Sequence, residues 1–539
     1  MSPAPSRARP PTAARPTTGR RPVHARFRPG FAVTVLVLAV PAAALSPAPR
    51  AVPAPAQAVT RTAESRAAPG PASTPAPPEL ARVERHVEEF QRVADRNGGR
   101  RASGTPGYDA SLRYAESLLK AAGYRTRREE FPFLYTETLK EELILGTGRS
   151  PDVVVAGYAP STPAAGLRAR FAVLTGGAER AQGCAPTAYE GARAAEGFAV
   201  VRAGGCGLDR KERLAAGAGA RALLVVNEAP GPPHGWLTAD GGARLPVGGV
   251  SPETGRLLAR EAAAGRPGLL TLRSRTERRR TANLLATAGP AASGRTVVAG
   301  AHLDSVPDGP GINDNGVAAA VLLETALHAA PLTGAGGGGA GAELRFAFWA
   351  AEEFGLLGSR HHVASLGVRE RARVRAYLNL EMVGSPNYGL YVLGAAATAP
   401  GPGQTPAPGS AGIERRFRAA FAALGARTLP APADGRSDYV PFVAAGIPTG
   451  GLYGGSFEPK TAGQARLWGG RAGAPHDPCY HLPCDRSGQY SRRATRLNSA
   501  AFWRVWSSYA LTPAARSAHP GPPSPPVPAP QGPLTRGRS

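Results

Sequence analysis

The hydrophobic pattern is helical where the regular part of the chain begins. Apolar residues recur every three or four positions at Leu80, Val83, Val87 and Phe90, as on the buried face of an amphipathic helix. A second segment with this period covers residues 110–122. The segment RTRREEFPF that follows favours an extended strand.

Two different patterns come next. Residues 135–273 hold short apolar runs between Gly- and Pro-rich turns, with one helix near residues 210–216, and they predict a small β-rich domain. From Thr281 onwards, apolar strands alternate with helical segments such as residues 317–330. Apolar strands that alternate with helices are typical of a sheet covered on both faces. We therefore predict an α/β fold, a three-layer α/β/α sandwich around a mixed, largely parallel central sheet, with the β-rich domain inserted in it.

The amino-terminal segment predicts export. Residues 1–58 contain eight arginines and no acidic residue, and the apolar run Phe31–Leu45 is shorter than the roughly 20 residues that span a bilayer. Followed by the small residues Ala54–Ala58, these features are typical of a cleaved secretory signal peptide; a single-pass anchor is the alternative. We expect a secreted protein without stable membrane association after cleavage. Residues 59–78 favour a Pro/Ala-rich linker or pro-segment, and residues 513–539 a disordered Pro-rich tail.

Charge and cysteine content refine this picture. The formal net charge is +25, but the arginines are scattered and no nucleic-acid-reading module is present, so we expect no nucleic-acid partner. The four cysteines lie as two local pairs, Cys184 with Cys206 and Cys479 with Cys484. Four cysteines allow three connectivities, and sequence proximity favours these two. Neither pair has CxxC spacing, and export makes disulfides the better interpretation.

Residues that can do chemistry stand just after predicted strands. They are His302 and Asp304 after TVVAGA, Glu352 and Glu353 after FAFWA, and Glu381 after RVRAYLNL, joined by Asp314 in GPGINDNG and His481 in HDPCYHLPCD. Ligands bind beyond the carboxyl ends of strands in open α/β sheets, so these side chains are expected at one edge. Singly, each has a plainer explanation, such as helix capping for Asp314. Together, two imidazoles and three carboxylates suit a site for two zinc ions and metal-assisted peptide hydrolysis.

Several long motifs in one order carry a family resemblance. GAHLDSV, GPGINDNG, FAFWAAEEFGLLGS, YLNLEMVGSPN, GRSDYVPF and CYHLPCD resemble the secreted two-zinc aminopeptidases of the bacterial leucyl aminopeptidase type. The similarity covers residues 80–130 and 276–511, which places a catalytic domain in residues 79–134 and 274–512. The insert, residues 135–273, resembles a protease-associated domain.

The resemblance implies a role for each site residue. One zinc ion would be held by His302, Asp314 and Glu381, and the other by Asp314, Glu353 and His481, with Asp314 bridging. The resemblance further implies that Glu352 is the general base, that Asp304 orients the His302 ring, and that Tyr480 is the phenol that stabilises the oxyanion. Arg436, Glu381 and Glu352 would surround the substrate amine. The peptide bond between Asp314 and Asn315 is expected to be cis. In close relatives the third ligand is usually Asp; Glu381 is one methylene longer, which shifts the metal or the room for substrate.

The resemblance implies an aminopeptidase that acts on peptide or protein N-termini, with leucine as the first expectation. We expect a monomer. A carboxypeptidase, in which Arg436 would bind the substrate carboxylate, and a single-zinc glutaminyl cyclase-like enzyme are the alternatives on this fold. The inserted domain is expected to cover the cleft. His361, His362 and His476 match no ligand position, and the first two are expected at the surface.

Overall fold

The structure is a computed structural model, and it describes residues 75–511 except 229–230, 232–234, 240–241, 290–293, 334–341, 399–404 and 433–434. All of these residues belong to one compact unit, Ala72–Ser539. The predicted signal peptide, most of the predicted linker and the predicted tail fall outside the described residues.

Helices account for much of the described part of the chain. They are α1 (Leu80–Arg96), α2 (Pro106–Ala121), α3 (Ala178–Ala181), α4 (Leu208–Gly217), α5 (Pro252–Ala263), α6 (Val317–Thr333), α7 (Leu357–Ser365), α8 (Val368–Arg373), α9 (Ser410–Ala422), α10 (Tyr439–Ala444), α11 (Ala462–Trp468) and α12 (Arg492–Ala510). A 3₁₀ turn covers Pro186–Tyr189, and a π-helical turn, Ile312–Gly316, directly precedes α6.

The strands of the described residues join into one extended sheet. They are β1 (Arg125–Ile144), β2 (Val154–Val155), β3 (Leu167–Val173), β4 (Phe198–Arg202), β5 (Ala222–Val226), β6 (Val247–Val250), β7 (Pro267–Ala288), β8 (Thr296–His302), β9 (Glu343–Trp349), β10 (Val374–Glu381), β11 (Tyr391–Leu393), β12 (Leu429–Pro430) and β13 (Thr449–Tyr453). Their order is β12-β11-β13-β10-β8-β9-β7-β3-β4-β5-β6-β2, with β1 paired to β7.

The part of this sheet that lies outside the insert is the predicted α/β/α sandwich. Strands β13, β10, β8 and β9 run parallel, while β11 pairs antiparallel with β13 and β7 pairs antiparallel with β9. Every residue of β8 is buried, as expected of a strand covered on both faces. Helices α1, α2, α6, α9 and α12 pack together as one layer, and α7 with α10 forms another. The sheet and these helices share one hydrophobic core.

A long ribbon connects this sandwich to the insert. Strands β1 and β7 pair antiparallel from Arg125 with Thr287 to Ile144 with Leu269. At the outer end of this ribbon, β7 also pairs antiparallel with β3. The insert has its own hydrophobic core around the parallel strands β3 to β6. The proposed boundaries at residues 134/135 and 273/274 thus lie within continuous strands. Helix α5 was not predicted, whereas α4 matches the helix predicted near residues 210–216.

One segment of the described residues, Ile312–Thr333, is long and apolar enough to cross a membrane by length and composition. Its apolar window is 78% buried inside the molecule, where α6 contacts β8, β9 and β10. It therefore packs as a core helix of the sandwich. Its apolar character follows from contact with neighbours on every side.

Candidate active site

Three neighbouring strands bring the predicted chemistry to one edge of the sheet. His302 is the last residue of β8, Glu381 is the last residue of β10, and the loop after β9 carries Glu352 and Glu353. Strand β8 lies between β9 and β10 and is parallel to both, so the carboxyl ends of the three strands are adjacent.

Two loops add the remaining members of the cluster. Asp314 lies in the π-helical turn before α6, and its peptide bond to Asn315 is cis, as the resemblance implies. His481 lies in a short loop closed by the Cys479–Cys484 disulfide. The second predicted disulfide, Cys184–Cys206, is also formed. Both local pairings predicted from the sequence are confirmed.

Asp314 lies between the two histidines. Its Oδ1 is 3.3 Å from Nε2 of His302, and its Oδ2 is 3.2 Å from Nε2 of His481. Glu381 Oε1 lies 3.4 Å from His302 Nε2, and Glu353 Oε2 lies 3.1 Å from His481 Nε2. The five side chains form two adjoining sets that share the Asp314 carboxylate. Ligand atoms of His302, Asp314 and Glu353, and of His302, Glu352 and Glu381, also lie within 4.8 Å of one another.

Because the cluster is buried, the pKa of each member depends strongly on the charges of its neighbours. Burial alone would lower the pKa of both histidines, but the surrounding carboxylates raise it, for His481 to about 10. Burial would raise the pKa of Asp314, yet hydrogen bonds from both histidines hold it below its usual range. Burial and the charge of Asp314 raise the pKa of Glu353 to about 7. Such a cluster is stabilised by added positive charge.

The donor set fits divalent metal ions such as zinc. Imidazole nitrogens and carboxylate oxygens are ordinary zinc ligands, and three in each set leave a position for water. His302 Nδ1 lies 3.1 Å from the carbonyl oxygen of Asp304, which only accepts, so Nδ1 donates and Nε2, the nitrogen that a metal ion would bind, faces the carboxylates. Glu353 Oε1 is buried and has no hydrogen-bond partner among the described residues, as expected of an atom that a cation would satisfy.

Asp304 supports the cluster through two different groups. Its main-chain carbonyl orients the His302 ring, while its carboxylate Oδ1 is 3.6 Å from Nδ1 of that ring. The same Oδ1 accepts a hydrogen bond from the backbone N–H of Glu352 at 3.3 Å. Asp304 therefore joins the end of β8 to the loop after β9.

Glu352 lies beside the two sets, and lines a cavity of about 570 Å³. Its Oε2 is 3.8 Å from His302 Nε2. Burial raises the pKa of Glu352 well above its usual range. A carboxyl group with a raised pKa can hold and release a proton near neutral pH.

Tyr480 and Arg436 form a polar part of the same cavity wall. Arg436 Nη2 donates to the Tyr480 hydroxyl at 2.8 Å, and Arg436 Nη1 lies 3.7 Å from Glu458 Oε1. Burial raises the pKa of Tyr480 well above its usual range, so the phenol keeps its proton at neutral pH. It is thereby able to donate a hydrogen bond to a developing negative charge.

The rest of this cavity wall is largely apolar and aromatic. The residues that line it are Met382, Leu393, Ala431, Pro432, Tyr439, Leu452 and Tyr453. Glu352 and Glu381 border the same space. The cavity therefore combines an apolar wall with acidic groups, which suits a side chain of aliphatic character next to a positively charged amine.

Three supporting residues were missed from the sequence. The Ser437 hydroxyl donates to Glu381 Oε2 at 2.5 Å. Asp485 accepts from the backbone N–H groups of Asn313 and Asp314 at 2.7 and 3.0 Å. The fully buried Arg101 donates to the carbonyl oxygens of Leu303, Pro310 and Gly311. These contacts join segments far apart in the sequence. The motifs GRSDYVPF and CYHLPCD contain Ser437 and Asp485, but neither motif indicates what these side chains contact.

The three histidines that match no ligand position do not contact the cluster. The prediction that His362 lies at the surface is wrong: it is fully buried, and its Nδ1 lies 2.9 Å from Glu129 Oε2. His361 is exposed, as predicted. His476 is buried between the Tyr391 hydroxyl, 3.0 Å away, and the carbonyl oxygen of Asn387, 2.7 Å away.

Two family descriptions match this chain. Residues 283–505 match peptidase family M28, and residues 170–258 match the PA domain. The second match lies inside the insert, between the strands of the ribbon.

Relatives with aminopeptidase names cover most of the chain. A protein of Mycobacterium tuberculosis named "Probable lipoprotein aminopeptidase LpqL" is 37% identical over 77% of this chain and 82% of its own length. An "Aminopeptidase" of Pseudomonas aeruginosa is 32% identical over 80% of this chain and 81% of its own. A "Probable leucine aminopeptidase 2" of Aspergillus fumigatus is 34% identical over 76% and 79%.

Solved structures share the fold. The aminopeptidase from Aneurinibacillus sp. strain AM-1 superposes with a TM-score of 0.62, at 22% identity over 81% of this chain and 96% of that one. BSAP, a zinc aminopeptidase from Bacillus subtilis, gives a TM-score of 0.59 at 24% identity over 82% and 98%.

Proposed function

The chain belongs to peptidase family M28 and is a metallo-aminopeptidase with an inserted PA domain, and on this basis we propose that it uses two zinc ions to remove large apolar residues, leucine first, from peptide N-termini. One observation carries the proposal: a single carboxylate, Asp314, lies between His302 and His481, and each histidine has a second carboxylate beside it.

Five side chains would hold the two ions. They are His302, Asp314 and Glu381 for one ion and Asp314, Glu353 and His481 for the other. When bound, a zinc pair polarises the scissile carbonyl and lowers the pKa of a shared water. Ser437 would keep Glu381 oriented, since its hydroxyl donates to the Oε2 that does not face His302.

Glu352 would carry the proton in this reaction. Its carboxylate accepts a proton from the attacking water, the peptide C–N bond breaks, and the same carboxyl returns the proton to the leaving amine. The buried position that raises its pKa matches this shuttle. Tyr480 would donate its hydroxyl proton in a hydrogen bond to the oxyanion, with Arg436 holding the phenol at 2.8 Å.

The first cavity would select the N-terminal residue. Glu352 and Glu381 border it and would hold the free α-amine, while its apolar wall, which includes Met382, Leu393 and Leu452, would take an aliphatic side chain. A hydrophobic pocket discriminates by about 1–3 kcal/mol per methylene, so leucine should be preferred over alanine.

The alternatives receive less support. A carboxypeptidase would need a cation free for the substrate carboxylate, but Arg436 already contacts Tyr480 and Glu458. A single-zinc glutaminyl cyclase would not need two complete ligand sets around one carboxylate. An N-acetylated leucyl peptide distinguishes the carboxypeptidase from the aminopeptidase, because only the aminopeptidase requires the free amine and should leave this peptide intact.

We also propose that the chain is exported. The two disulfides fit an exported protein, and the basic and apolar segment within residues 1–58 would direct it. A monomeric state remains our prediction.

Hydrolysis of leucyl-p-nitroanilide before and after chelation tests the function. We expect activity that a chelator abolishes and zinc restores, with close to two zinc ions per chain by elemental analysis. Unaltered activity in metal-free protein would overturn the zinc mechanism, and one ion per fully active chain would overturn the two-ion proposal.

A further inference from the structure

A second cavity of about 1060 Å³ lies where the insert meets the catalytic part. On the insert side it is lined by the ribbon and by residues 154–157 and Trp236; on the catalytic side by residues 306–308 and 481–483. It is therefore formed jointly by both parts of the molecule.

This second cavity borders the proposed metal centre from another side. His481 lines it, whereas Tyr480, the preceding residue, lines the first cavity. The two cavities share no lining residue among those described. His481 Nε2 is 3.2 Å from Asp314, which borders the first cavity, so this histidine–carboxylate pair connects the walls of the two cavities.

The insert is fastened to the catalytic part beside this cavity. The Tyr158 hydroxyl lies 2.9 Å from the Leu134 carbonyl oxygen and 3.3 Å from that of Phe354, next to Glu353. The ring of Trp236 lies 5.4 Å from that of Tyr158 and 6.0 Å from that of Phe354. The wall formed by the insert therefore has a defined position relative to the loop that carries Glu352.

The walls of the second cavity carry exposed apolar side chains. Trp236 is 38% exposed and Leu482 is 47% exposed. Few large hydrophobic side chains of the described residues reach such exposure. Apolar groups that remain open to solvent in a cleft beside a catalytic centre are available for contact with a bound chain.

The cavity also carries two carboxylates that form no close ion pair among the described residues. Glu137 is paired with Arg100 and Arg275. In contrast, no described Lys, Arg or His side chain lies within 4.0 Å of the carboxylates of Glu141 and Asp308. Both residues line this cavity. Burial and the charge of Asp308 raise the pKa of Glu141 against the hydrogen bond from the Val155 N–H, while Arg100 and His481 act at longer range to favour the charged form of Asp308.

We propose that this second cavity binds the residues that follow the scissile bond and that Glu141 and Asp308 make it prefer a lysine or arginine among them. The inference rests on the proposed function, because a substrate whose N-terminal residue fills the first cavity must extend past the metal centre. The insert is then a specificity element: it supplies Glu141 through the ribbon and Trp236 through its own loop.

Peptide hydrolysis at low salt tests this preference. The substrates are Leu-Lys-Ala-Ala, Leu-Ala-Lys-Ala and Leu-Ala-Ala-Ala, and leucine release gives kcat/KM for each. One of the two lysine peptides should exceed the alanine peptide by about fivefold, which is the scale of two solvent-exposed ion pairs. The difference should shrink at about 0.5 M salt, where the screening length is about 4 Å. Equal rates for all three peptides would overturn the proposal.

Variants that remove the charges of Glu141 and Asp308 test whether these two residues cause the lysine preference. The double variant Glu141→Gln with Asp308→Asn should abolish the lysine preference. The introduced amide at position 141 keeps an acceptor oxygen for the Val155 N–H, which Glu141 binds at 2.6 Å. Glu142→Gln is the matched control, because it removes one charge from the neighbouring position of the same strand, where Glu142 pairs with Lys140 at 2.9 Å. Retention of the preference in the double variant, or its loss in the control alone, would reject the assignment.

Leucyl-p-nitroanilide separates the two proposals. It has no amino acid after the scissile bond and tests only the metal centre and the first cavity. If the zinc-loaded wild-type protein does not hydrolyse it, the proposed function fails. If the protein hydrolyses it but treats the lysine and alanine peptides alike, only the inference about the second cavity fails.

Discussion

At the scale of the residue, the proposed mechanism gives Glu352 a role in proton transfer and none in metal binding. Its Oε2 lies 3.8 Å from His302, beside the two sets that share Asp314. Glu352→Gln should therefore keep the zinc content and lower kcat by about 10²–10⁴-fold, the usual contribution of a positioned acid–base group. Glu353→Gln is the matched control, since it should lower zinc content as well. Near-normal turnover in Glu352→Gln would contradict the assignment.

Some site residues could be predicted from the local sequence, and others could not. His302 and Glu381 were predictable because each ends a strand whose apolar residues mark it clearly. Ser437 was not, because its contact with Glu381 joins positions 56 residues apart and leaves no periodic pattern. The buried position of His362 was missed for the same reason, since its partner Glu129 is 233 positions away.

At the scale of the element, the turn Ile312–Gly316 depends on one side chain. Asp485 accepts hydrogen bonds from the backbone N–H groups of Asn313 and Asp314. Asp485→Ala leaves both buried donors unpaired, at about 1–3 kcal/mol each, and frees Asp314, the proposed shared ligand, to move. We expect a lower free energy of unfolding in urea and a weaker zinc affinity in titration.

A graded variant checks this reasoning. Asp485→Asn retains one acceptor oxygen and should fall between wild type and Asp485→Ala in both measurements. Unchanged stability and zinc affinity in the alanine variant would show that the turn holds Asp314 without Asp485.

Elements with a clear period were predictable, and those without one were not. Strand β8 and helix α6 are marked by their unbroken apolar character. Strand β6 contains two glycines in four residues, and β1 continues for 20 residues through Pro132 and a polar segment, so neither shows a two-residue alternation. The length of the ribbon follows from pairing between β1 and β7, which no local pattern records.

At the scale of the whole molecule, the fold class followed from the alternation of strands and helices, but the order of strands did not. The position of the insert over His481 depends on the contacts of Tyr158 and Trp236 with the loop at Phe354. Such contacts join parts of the chain that carry no shared sequence pattern. The second cavity was therefore visible only in the structure.

The concentration of buried acids and imidazoles also determines how the whole molecule responds to pH. Burial raises the pKa of Glu353 to about 7 and those of Asp438 and Asp485 to about 8. For His481, burial lowers the pKa, but Glu353 and Asp314 raise it to about 10 overall. All four groups therefore bind protons more tightly in the folded chain than in the unfolded one.

Metal-free protein should therefore be more stable in mild acid than in mild base. The contribution of a group with a raised folded pKa is fully present below its unfolded pKa and is lost as pH rises through the folded value. That window runs from about 4 to about 8 for the three carboxyl groups and from about 6.5 to about 10 for His481. Because all four act in the same direction, the melting temperature of chelator-treated protein should fall between pH 5.5 and pH 9. Zinc supplies the positive charge that protons otherwise provide, so the fall should be smaller in zinc-loaded protein, and a metal-free melting temperature that rises over this range would contradict the electrostatic description of the site.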